Sequence, residues 1–245
     1  MPEPGSAGRP AYRVYRMFWS AMDWLFPPNC VGCQKAGLRW CADCWLKIKR
    51  INENICEICG QPVKIESSRL CAACARSRPA YHQLRSWAVY EGSLRTALLR
   101  IKYKGDIGLG DILARELMAL MGQLGWPVDL VTPAPLGVAR KGERGYNQAA
   151  FIAYPFALAT SLRYAPQALS KVRDTPSQVG LSMHERRLNV QGAYRANRRL
   201  VEGKTVLVID DIATSGATMQ ACAEALNDAG VKQVFGLTVA RASLN

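Results

Sequence analysis

The sequence predicts an α/β protein in which a parallel sheet flanked by helices follows a small cysteine-rich module. Two patterns support this prediction. Eight of the nine cysteines lie between residues 30 and 74, and strand-like apolar runs alternate with helix-like segments from about residue 85 onward. The 245 residues, of which 49% are hydrophobic, suffice for one small and one medium domain with a packed core. We expect the module in residues 1–80 and the α/β domain in residues 81–245.

The segment before the cysteines, YRVYRMFWSAMDWLF at residues 12–26, predicts an amphipathic helix that ends at Pro27. Such a helix packs against the body of its own protein or lies on a membrane surface, and we favour packing. The segment is short, carries Asp23 and lacks a small-residue cleavage site, so no signal peptide is predicted. No apolar run reaches the roughly 18 residues that span a bilayer. We therefore expect no transmembrane segment and a cytoplasmic protein.

The clustered cysteines form four C-x-x-C pairs, and these pairs predict two zinc sites. The pairs are Cys30/Cys33, Cys41/Cys44, Cys56/Cys59 and Cys71/Cys74. One pair directs two thiolates at one point, and two pairs complete a tetrahedral S4 site. The alternatives are a disulfide framework, which requires an oxidising compartment, and an iron–sulfur cluster. Pairing of the first two and of the last two pairs is the simplest arrangement, and an interleaved arrangement stays open.

Zinc in these sites is expected to be structural, because four thiolates leave no coordination position for water. A segment of about 45 residues with so few apolar side chains needs structural metal sites of this kind to fold. The formal net charge of +13 falls to about +9 when two zinc tetrathiolates of net charge −2 form. This excess favours anionic partners such as nucleic acid, phosphorylated metabolites or a membrane surface. Cys222, outside the pairs, is expected to be a small core residue.

Strands and helices alternate in the remainder of the chain. We predict strands at residues 85–92, 128–136, 205–210 and 231–241, and helices at residues 93–106, 109–125, 144–162 and 218–230. Ser93 is the candidate N-cap of the first of these helices, and Gly230 ends the last. Pro155 predicts a kink in the third helix, and residues 171–192 form a polar stretch.

The stretch VLVIDDIATSGATM, residues 206–219, carries the clearest functional pattern. In open α/β sheets ligands bind beyond the carboxyl ends of strands, where Asp210 and Asp211 would lie. The backbone N–H groups that follow can converge on a phosphate at a helix N-terminus, and they belong to Thr214, Ser215, Gly216, Ala217 and Thr218. The carboxylates suit hydroxyl donors, so a ribose 5-phosphate fits both halves. The alternative is a plain strand, turn and helix with surface acids.

This stretch resembles the phosphoribosyl diphosphate (PRPP) signature of type I phosphoribosyltransferases. The resemblance implies that Asp210 and Asp211 hold the ribose hydroxyls and that residues 214–218 hold the 5-phosphate. It also implies that Mg²⁺ accompanies the diphosphate. Purine-salvage members carry an aspartate, a base toward the purine, where this chain has Thr214. Its absence argues against simple purine salvage.

The order of motifs along the chain is similar to that of the ComF family of competence proteins. The cysteine pairs are followed by LRIKYKGD, PAPL, RGYNQA, TPSQVGLSMHERRLNVQGAY and the PRPP signature, so the resemblance runs from about Pro28 to Arg241. It implies a phosphoribosyltransferase-like domain, also similar to that of amidophosphoribosyltransferase, and a role in DNA uptake during natural transformation. Single-stranded DNA and competence or DNA-processing proteins are the implied partners. The sequence contains no glutaminase domain, so glutamine-dependent amide transfer is not expected.

Two further segments offer candidate residues for the site. The first, PLGVARKGERGYNQ, either meets the diphosphate or forms a solvated basic loop, and its candidates are Arg140, Lys141 and Arg144. The second, RDTPSQVGLSMHERRLNVQGAY, lies where related enzymes carry a flexible loop that closes over the substrate, or else it forms an ordered helix and loop. Its candidates are Gln178, Arg186, Arg187 and Asn189. His184 is a possible proton donor or a plain surface residue, and His82 is expected to be structural.

Three functions stay open at the level of sequence. The first is a PRPP–Mg²⁺ binding protein that engages single-stranded DNA through its zinc module and basic surface. The second is an active phosphoribosyltransferase on an unidentified acceptor, and the third is a PRPP-sensing regulator without turnover. The signature does not separate them, because binding and catalysis use the same loop. Trp40, Trp45 and Tyr81 either stack bases or, as we favour, pack in the core.

Overall fold

The structure is a computed structural model that describes residues 10–51, 54–63, 69–137, 142–175, 185 and 189–242. Its helices include α1 (Pro10–Leu25), α2 (Ala42–Leu46), α3 (Ala72–Arg76), α4 (Gly92–Lys104), α5 (Gly108–Gly122), α6 (Gln148–Thr160), α7 (Arg198–Val201) and α8 (Ala217–Asp228). Its strands include β1 (Gln83–Val89), β2 (Leu130–Pro133), β3 (Arg163–Tyr164), β4 (Leu169–Lys171), β5 (Tyr194–Ala196), β6 (Thr205–Ala213) and β7 (Gln233–Arg241).

Five strands form a parallel sheet in the order β1-β7-β6-β2-β3. The strands β4 and β5 pair with each other as a separate antiparallel hairpin. Because the five strands run the same way, their carboxyl ends share one edge of the sheet, where a ligand is expected to bind. The predicted α/β architecture with a parallel sheet is confirmed.

The central strand β6 explains why the sheet has a core on each face. Leu207 and Ile209 belong to the core that also contains α5 and α6, whereas Val206 and Val208 belong to the core that contains α8. Alternate side chains of a strand point to opposite faces, so a continuous branched apolar run is buried on both sides. The fully buried Cys222 of α8 lies in the second core, as expected of a small core residue.

The two cysteine clusters lie on opposite faces of the same edge of the sheet. We call Cys30, Cys33, Cys41 and Cys44 the first cysteine cluster, and Cys56, Cys59, Cys71 and Cys74 the second cysteine cluster. The first shares the core of α5 and α6, and the second shares the core of α8. Because both clusters share their cores with the sheet, the boundary between folding units at residue 80 stays a prediction.

The chain between the two clusters covers the edge strand β1. The N–H of Ile51 donates to the carbonyl of Trp87 at 3.0 Å, and the N–H of Val89 donates to the carbonyl of Lys49 at 2.8 Å. An edge strand otherwise exposes unpaired backbone groups that can pair with another chain. The cysteine-rich module thus closes one side of the parallel sheet.

Helix α1 packs on the body through one side. The hydroxyl of Tyr12 donates to Oδ1 of Asp111 at 2.9 Å, and Nε of Arg39 donates to Oδ2 of Asp23 at 3.2 Å. Its opposite side exposes the apolar residues Val14, Met17, Phe18, Trp24 and Leu25. Among the described residues, no helix combines the length and the apolar character that a bilayer crossing requires.

Two local expectations differ from the structure. The N-cap of α4 is Glu91, whereas the hydroxyl of Ser93 donates to the carbonyl of Cys44 at 3.0 Å, so Ser93 joins α4 to the first cysteine cluster. Helix α6 begins later than predicted, at a cap where Oδ1 of Asn147 accepts from the N–H of Ala149 at 3.0 Å. It continues through Pro155 as one helix, and the kink expected at that residue stays a prediction. The predicted helix end is confirmed at Gly230, whose φ is +80°.

Candidate functional site

Both cysteine clusters have the dimensions of a zinc tetrathiolate. The four Sγ atoms of each cluster lie within 4.8 Å of one another. The Sγ of Cys41 is 3.6 Å from that of Cys30 and 3.7 Å from that of Cys33, and the Sγ atoms of Cys59 and Cys71 are 3.6 Å apart. A tetrahedron with Zn–S bonds of about 2.3 Å has edges of about 3.8 Å, so Zn²⁺ fits. The structure also pairs neighbouring C-x-x-C motifs, which excludes the interleaved arrangement.

Backbone donors prepare one cysteine of each cluster for metal binding. The N–H groups of Gly32 and Cys41 each lie 3.4 Å from Sγ of Cys30. Burial raises the pKa of Cys30, but the backbone donors outweigh it and lower that pKa to about 6. The same opposition of burial and backbone donors lowers the pKa of Cys56 to about 7. Because zinc binds the thiolate, Cys30 and Cys56 favour the form that the metal requires, whereas the pKa values of Cys44, Cys59 and Cys74 are raised.

Arginines of the α/β body hold the carbonyls beside the zinc ligands. In the first cysteine cluster, Nη1 of Arg100 donates to the carbonyl of Asn29 at 2.8 Å. In the second cysteine cluster, Nη2 of Arg85 donates to the carbonyl of Glu57 at 2.7 Å, and Arg241 donates to the carbonyl of Cys59. A guanidinium stays protonated in a protein, so these positive charges offset the net negative charge of each tetrathiolate.

The two carboxylates lie at the carboxyl end of the central strand β6, as predicted. Burial raises the pKa of Asp210 well above its ordinary value, and the neighbouring carboxylate of Asp211 raises it further. Oδ2 of Asp211 accepts a hydrogen bond of 3.4 Å from Nε2 of Gln148 at the start of α6. The pair therefore presents one carboxyl whose pKa is raised by burial and one that a side-chain amide orients.

The loop after β6 leads directly into helix α8. Gly216 has a φ of +77°, a left-handed conformation that glycine adopts without strain. Thr214 and Ser215 lie in the turn, while Ala217 and Thr218 begin the helix. The first N–H groups of a helix lack intrahelical acceptors and carry the positive end of the helix dipole. Residues 214–218 thus form a short segment, next to the carboxylates, that can receive an anion.

Arg144 connects to the carboxylates through Gln148. Nη1 of Arg144 donates to Oε1 of Gln148 at 3.2 Å, and Gln148 in turn donates to Asp211. Nδ2 of Asn147 donates to the carbonyl of Ala134 at 2.9 Å, which ties the start of α6 to the end of β2. Sequence reasoning selected Arg144 and overlooked Gln148. The signal for it was a glutamine at the start of an otherwise apolar helix.

Lys171 is a second residue that sequence reasoning missed. It ends β4, and its Nζ lies 2.7 Å from Oγ1 of Thr175 and 5.5 Å from the centre of the Tyr194 ring. Its positive charge lowers the pKa of Asp210, in opposition to burial, so the hairpin of β4 and β5 brings a cation to the carboxylates. The strand β4 has only three residues, too few to show a hydrophobic periodicity. The sequence therefore contains no indication that Lys171 would lie near the carboxylates.

Most candidates from the two flanking segments lie outside the described residues. These are Arg140, Lys141, Gln178, Arg186 and Arg187, together with His184. Asn189 is described, and its carbonyl accepts a hydrogen bond of 3.1 Å from Nη2 of Arg173. A role for Asn189 in ligand binding stays a prediction.

The aromatic residues considered for base stacking pack in the core instead. Trp40 and Tyr81 are buried, with 9% and 6% of their surface exposed. The ring of Trp45 lies 5.1 Å from that of Trp40 and 5.4 Å from that of Trp87. These rings contribute to the contact between the cysteine-rich module and the sheet, with Trp40 and Tyr81 buried and Trp45 half-buried.

Comparison with known proteins identifies both parts of the chain. The model of the double zinc ribbon domain matches residues 21–75, and the model of the phosphoribosyl transferase domain matches residues 136–242. The predicted double zinc ribbon and phosphoribosyltransferase-like domain are confirmed. A solved structure, glutamine PRPP amidotransferase from B. subtilis complexed with ADP and GMP, is 23% identical with a TM-score of 0.36. That alignment covers 60% of this chain and 27% of the amidotransferase.

Three curated proteins align with most of the chain. DNA utilization protein YhgH of Salmonella typhi is 28% identical over 75% of this chain and 83% of its own length. Competence protein F of Haemophilus influenzae is 26% identical over 87% of this chain and 97% of its own length. Competence protein ComFC of Bacillus subtilis is 25% identical over 78% of each chain.

Proposed function

We propose that this chain, a homologue of the competence proteins F and ComFC as the order of its motifs predicts, binds PRPP with Mg²⁺ and takes part in handling imported single-stranded DNA. One observation carries the proposal. Asp210 and Asp211 lie near the carboxyl end of β6, and the loop that leads into α8 follows after Ile212 and Ala213 at the same edge of the sheet. A ribose with a 5-phosphate offers hydroxyls to the carboxylates and an anion to the loop.

The two halves of the site recognise different parts of the ligand. Asp210 and Asp211 accept hydrogen bonds from the ribose hydroxyls, and the backbone N–H groups of residues 214–218 donate to the 5-phosphate. Mg²⁺, when bound, would offset the negative charge of the diphosphate. Arg144 is the described candidate for a further diphosphate contact, with Arg140 and Lys141 beside it in sequence.

The affinity for PRPP can be tested by isothermal calorimetry in the presence of Mg²⁺. We expect the wild-type protein to bind and Asp211→Asn to bind at least tenfold more weakly, because an acceptor of the ribose hydroxyls is lost. Asp228→Asn, at the exposed end of α8, is the matched control and should bind like the wild type. A wild-type protein that does not bind PRPP, or an Asp211→Asn variant with unchanged affinity, would contradict the proposal.

Phosphoribosyl transfer is the second candidate function. A carboxylate pair beside the ribose can stabilise the positive charge that develops on the sugar ring as the diphosphate leaves. The nearby hydrogen bond from Gln148 would fix Asp211 for this purpose. Release of pyrophosphate that depends on an added acceptor, such as a nucleobase or single-stranded DNA, would support an enzyme. PRPP binding without such release would favour a PRPP-sensing regulator.

The link to DNA rests on charge and on homology. The chain carries a formal net charge of +13, and its relatives are named for competence and DNA utilization. We propose a cytoplasmic protein that contacts the phosphates of single-stranded DNA through its basic surface and meets competence or DNA-processing proteins there. Fluorescence anisotropy with a labelled oligonucleotide, on a preparation of known zinc content, measures this binding directly. An absence of binding at low salt would contradict direct contact.

A further inference from the structure

We propose that the hydroxyl of Tyr81 is an additional hydrogen-bond donor to the 5-phosphate, and that the second cysteine cluster positions it. This inference rests on the proposed PRPP site and adds a ligand contact from outside the β6–α8 segment. It also means that the second cysteine cluster helps to position a residue of the PRPP site.

The hydroxyl of Tyr81 lies beside the centre of the anion-receiving loop. A Cβ atom built on Gly216 would be 3.6 Å from the Tyr81 oxygen. Gly216 is the middle residue of the 214–218 loop and immediately precedes α8. The phenol oxygen is therefore close to the middle of the loop whose backbone N–H groups are proposed to receive the phosphate.

The Tyr81 hydroxyl is free to pair with a ligand. Most of the residue is buried, with 6% of its surface exposed, and among the described residues no atom accepts from its oxygen or donates to it. The oxygen is not among the enclosed polar atoms that lack a partner, which in the described residues are Nε of Arg115 and Nε of Arg241, so a ligand can reach it. A phenol remains protonated at neutral pH, so it can donate to a phosphate oxygen at about 2.5–3.0 Å.

The surroundings of Tyr81 hold the ring in one place. It shares a core with Cys59 and Cys74 of the second cysteine cluster. Its neighbour Ala80 is tied to α8 twice, because the N–H of Ala80 donates to Oε1 of Gln220 at 2.9 Å and Nδ2 of Asn227 donates to the carbonyl of Ala80 at 2.9 Å. The residue is thus fixed between the zinc ribbon on one side and the helix that follows the loop on the other.

This arrangement distinguishes the two zinc sites. The first cysteine cluster belongs to the core on the opposite face of the sheet, with α5 and α6. The second cysteine cluster packs behind Tyr81 and therefore supports a residue at the phosphate. The zinc ribbon, whose zinc is otherwise structural, would in this way contribute to the phosphate site of the phosphoribosyltransferase-like domain.

The test compares Tyr81→Phe with the wild type by calorimetry, using PRPP–Mg²⁺, ribose 5-phosphate and Mg²⁺–pyrophosphate as separate probes. The variant keeps the ring and loses the hydroxyl. We expect about tenfold weaker binding of PRPP and of ribose 5-phosphate, with pyrophosphate unaffected, since one charge-assisted hydrogen bond to the 5-phosphate is lost. Tyr164→Phe, which removes a hydroxyl on the edge strand β3, is the control and should leave all three affinities unchanged.

Each outcome decides the proposal. Unchanged affinity of Tyr81→Phe for ribose 5-phosphate would overturn the role of Tyr81 while leaving the PRPP site in place. Equal weakening for all three probes would also overturn it, because that pattern indicates general damage to the site. If the wild type binds ribose 5-phosphate but not PRPP, the proposed function fails. The affinities of the wild type and of Tyr81→Phe for ribose 5-phosphate then still test the role of Tyr81. If the wild type binds none of the probes, both proposals fall.

Discussion

Asp210 and Asp211 are neighbours in the chain, yet they occupy different environments. Burial and the adjacent carboxylate raise the pKa of Asp210, whereas Asp211 accepts a hydrogen bond from Gln148. Their presence at a strand end was predicted from the sequence, because an apolar run that meets two acids is a local pattern. Their difference was not predictable, because it arises from α6 and from the β4–β5 hairpin, which reach the site only in the folded chain.

The raised pKa of Asp210 makes a prediction about the ligand-free protein. A carboxyl whose pKa is higher in the folded state binds more protons there than in the unfolded chain, so stability falls as the pH rises from about 4 through the folded pKa. Asp210→Asn removes this titration and keeps an oxygen for the N–H of Asp211, which donates to Oδ1 of Asp210 at 2.9 Å. We expect the variant to be more stable than the wild type at pH 8 and to bind PRPP poorly. Urea unfolding from pH 4 to pH 8 measures this, and parallel pH profiles for the two proteins would contradict it.

The bridge from Arg144 through Gln148 makes a second prediction at this scale. Gln148→Ala removes the hydrogen bond to Asp211 and frees Arg144, so PRPP affinity should fall roughly 3- to 10-fold. Gln123→Ala, at the exposed C-terminal end of α5, is the matched control. Calorimetry compares the two variants, and equal affinities would show that the bridge does not orient the carboxylate.

The long elements were predictable and the short ones were not. The strands β6 and β7 and the helices α5 and α8 have clear apolar periods or runs, and each lies close to its predicted range. The strands β3, β4 and β5 have two or three residues each, too few to show a period. The β4–β5 hairpin brings Lys171 to the site. Because the sequence did not predict this hairpin, it did not predict Lys171 as a site residue either.

The two zinc ribbons should not be functionally equivalent. Cys41→Ser and Cys71→Ser each remove the third ligand of one cluster and leave the other cluster intact. Both variants should retain about one zinc ion per chain and lose stability, because ligand loss removes metal-binding free energy from folding. Cys71→Ser should weaken PRPP binding further than Cys41→Ser, since the second cysteine cluster supports Tyr81.

Metal analysis and calorimetry at a temperature where both variants remain folded provide the measurement. Hydrogen exchange of residues 214–218 supplies an independent readout, and it should rise in Cys71→Ser and stay near the wild-type level in Cys41→Ser. Equal losses of PRPP affinity in the two variants would contradict a specific role for the second cysteine cluster.

Over the whole molecule, the two ribbons straddle the β1 edge, and their chain covers that edge with hydrogen bonds from residues 49–51. The double ribbon and the α/β sheet were each predictable from sequence, because cysteine spacing and apolar periods are local. Their mutual packing was not, because it depends on scattered contacts such as those of Trp40, Trp87 and Arg241. Trp40 and Tyr81 are buried in this packing and Trp45 packs against it, so the proposal that the chain holds DNA rests on its positive charge.

Binding of single-stranded DNA should therefore depend strongly on salt. Each phosphate that a basic side chain neutralises releases condensed counterions, and the logarithm of the affinity falls by about 0.7 per contact for each tenfold rise in salt. Four such contacts would cost about 50-fold in affinity between 50 and 200 mM salt. Base stacking by aromatic residues would instead leave a large salt-independent part. Anisotropy titrations across this salt range separate the two, and an affinity that hardly changes with salt would show that the basic surface is not the binding surface.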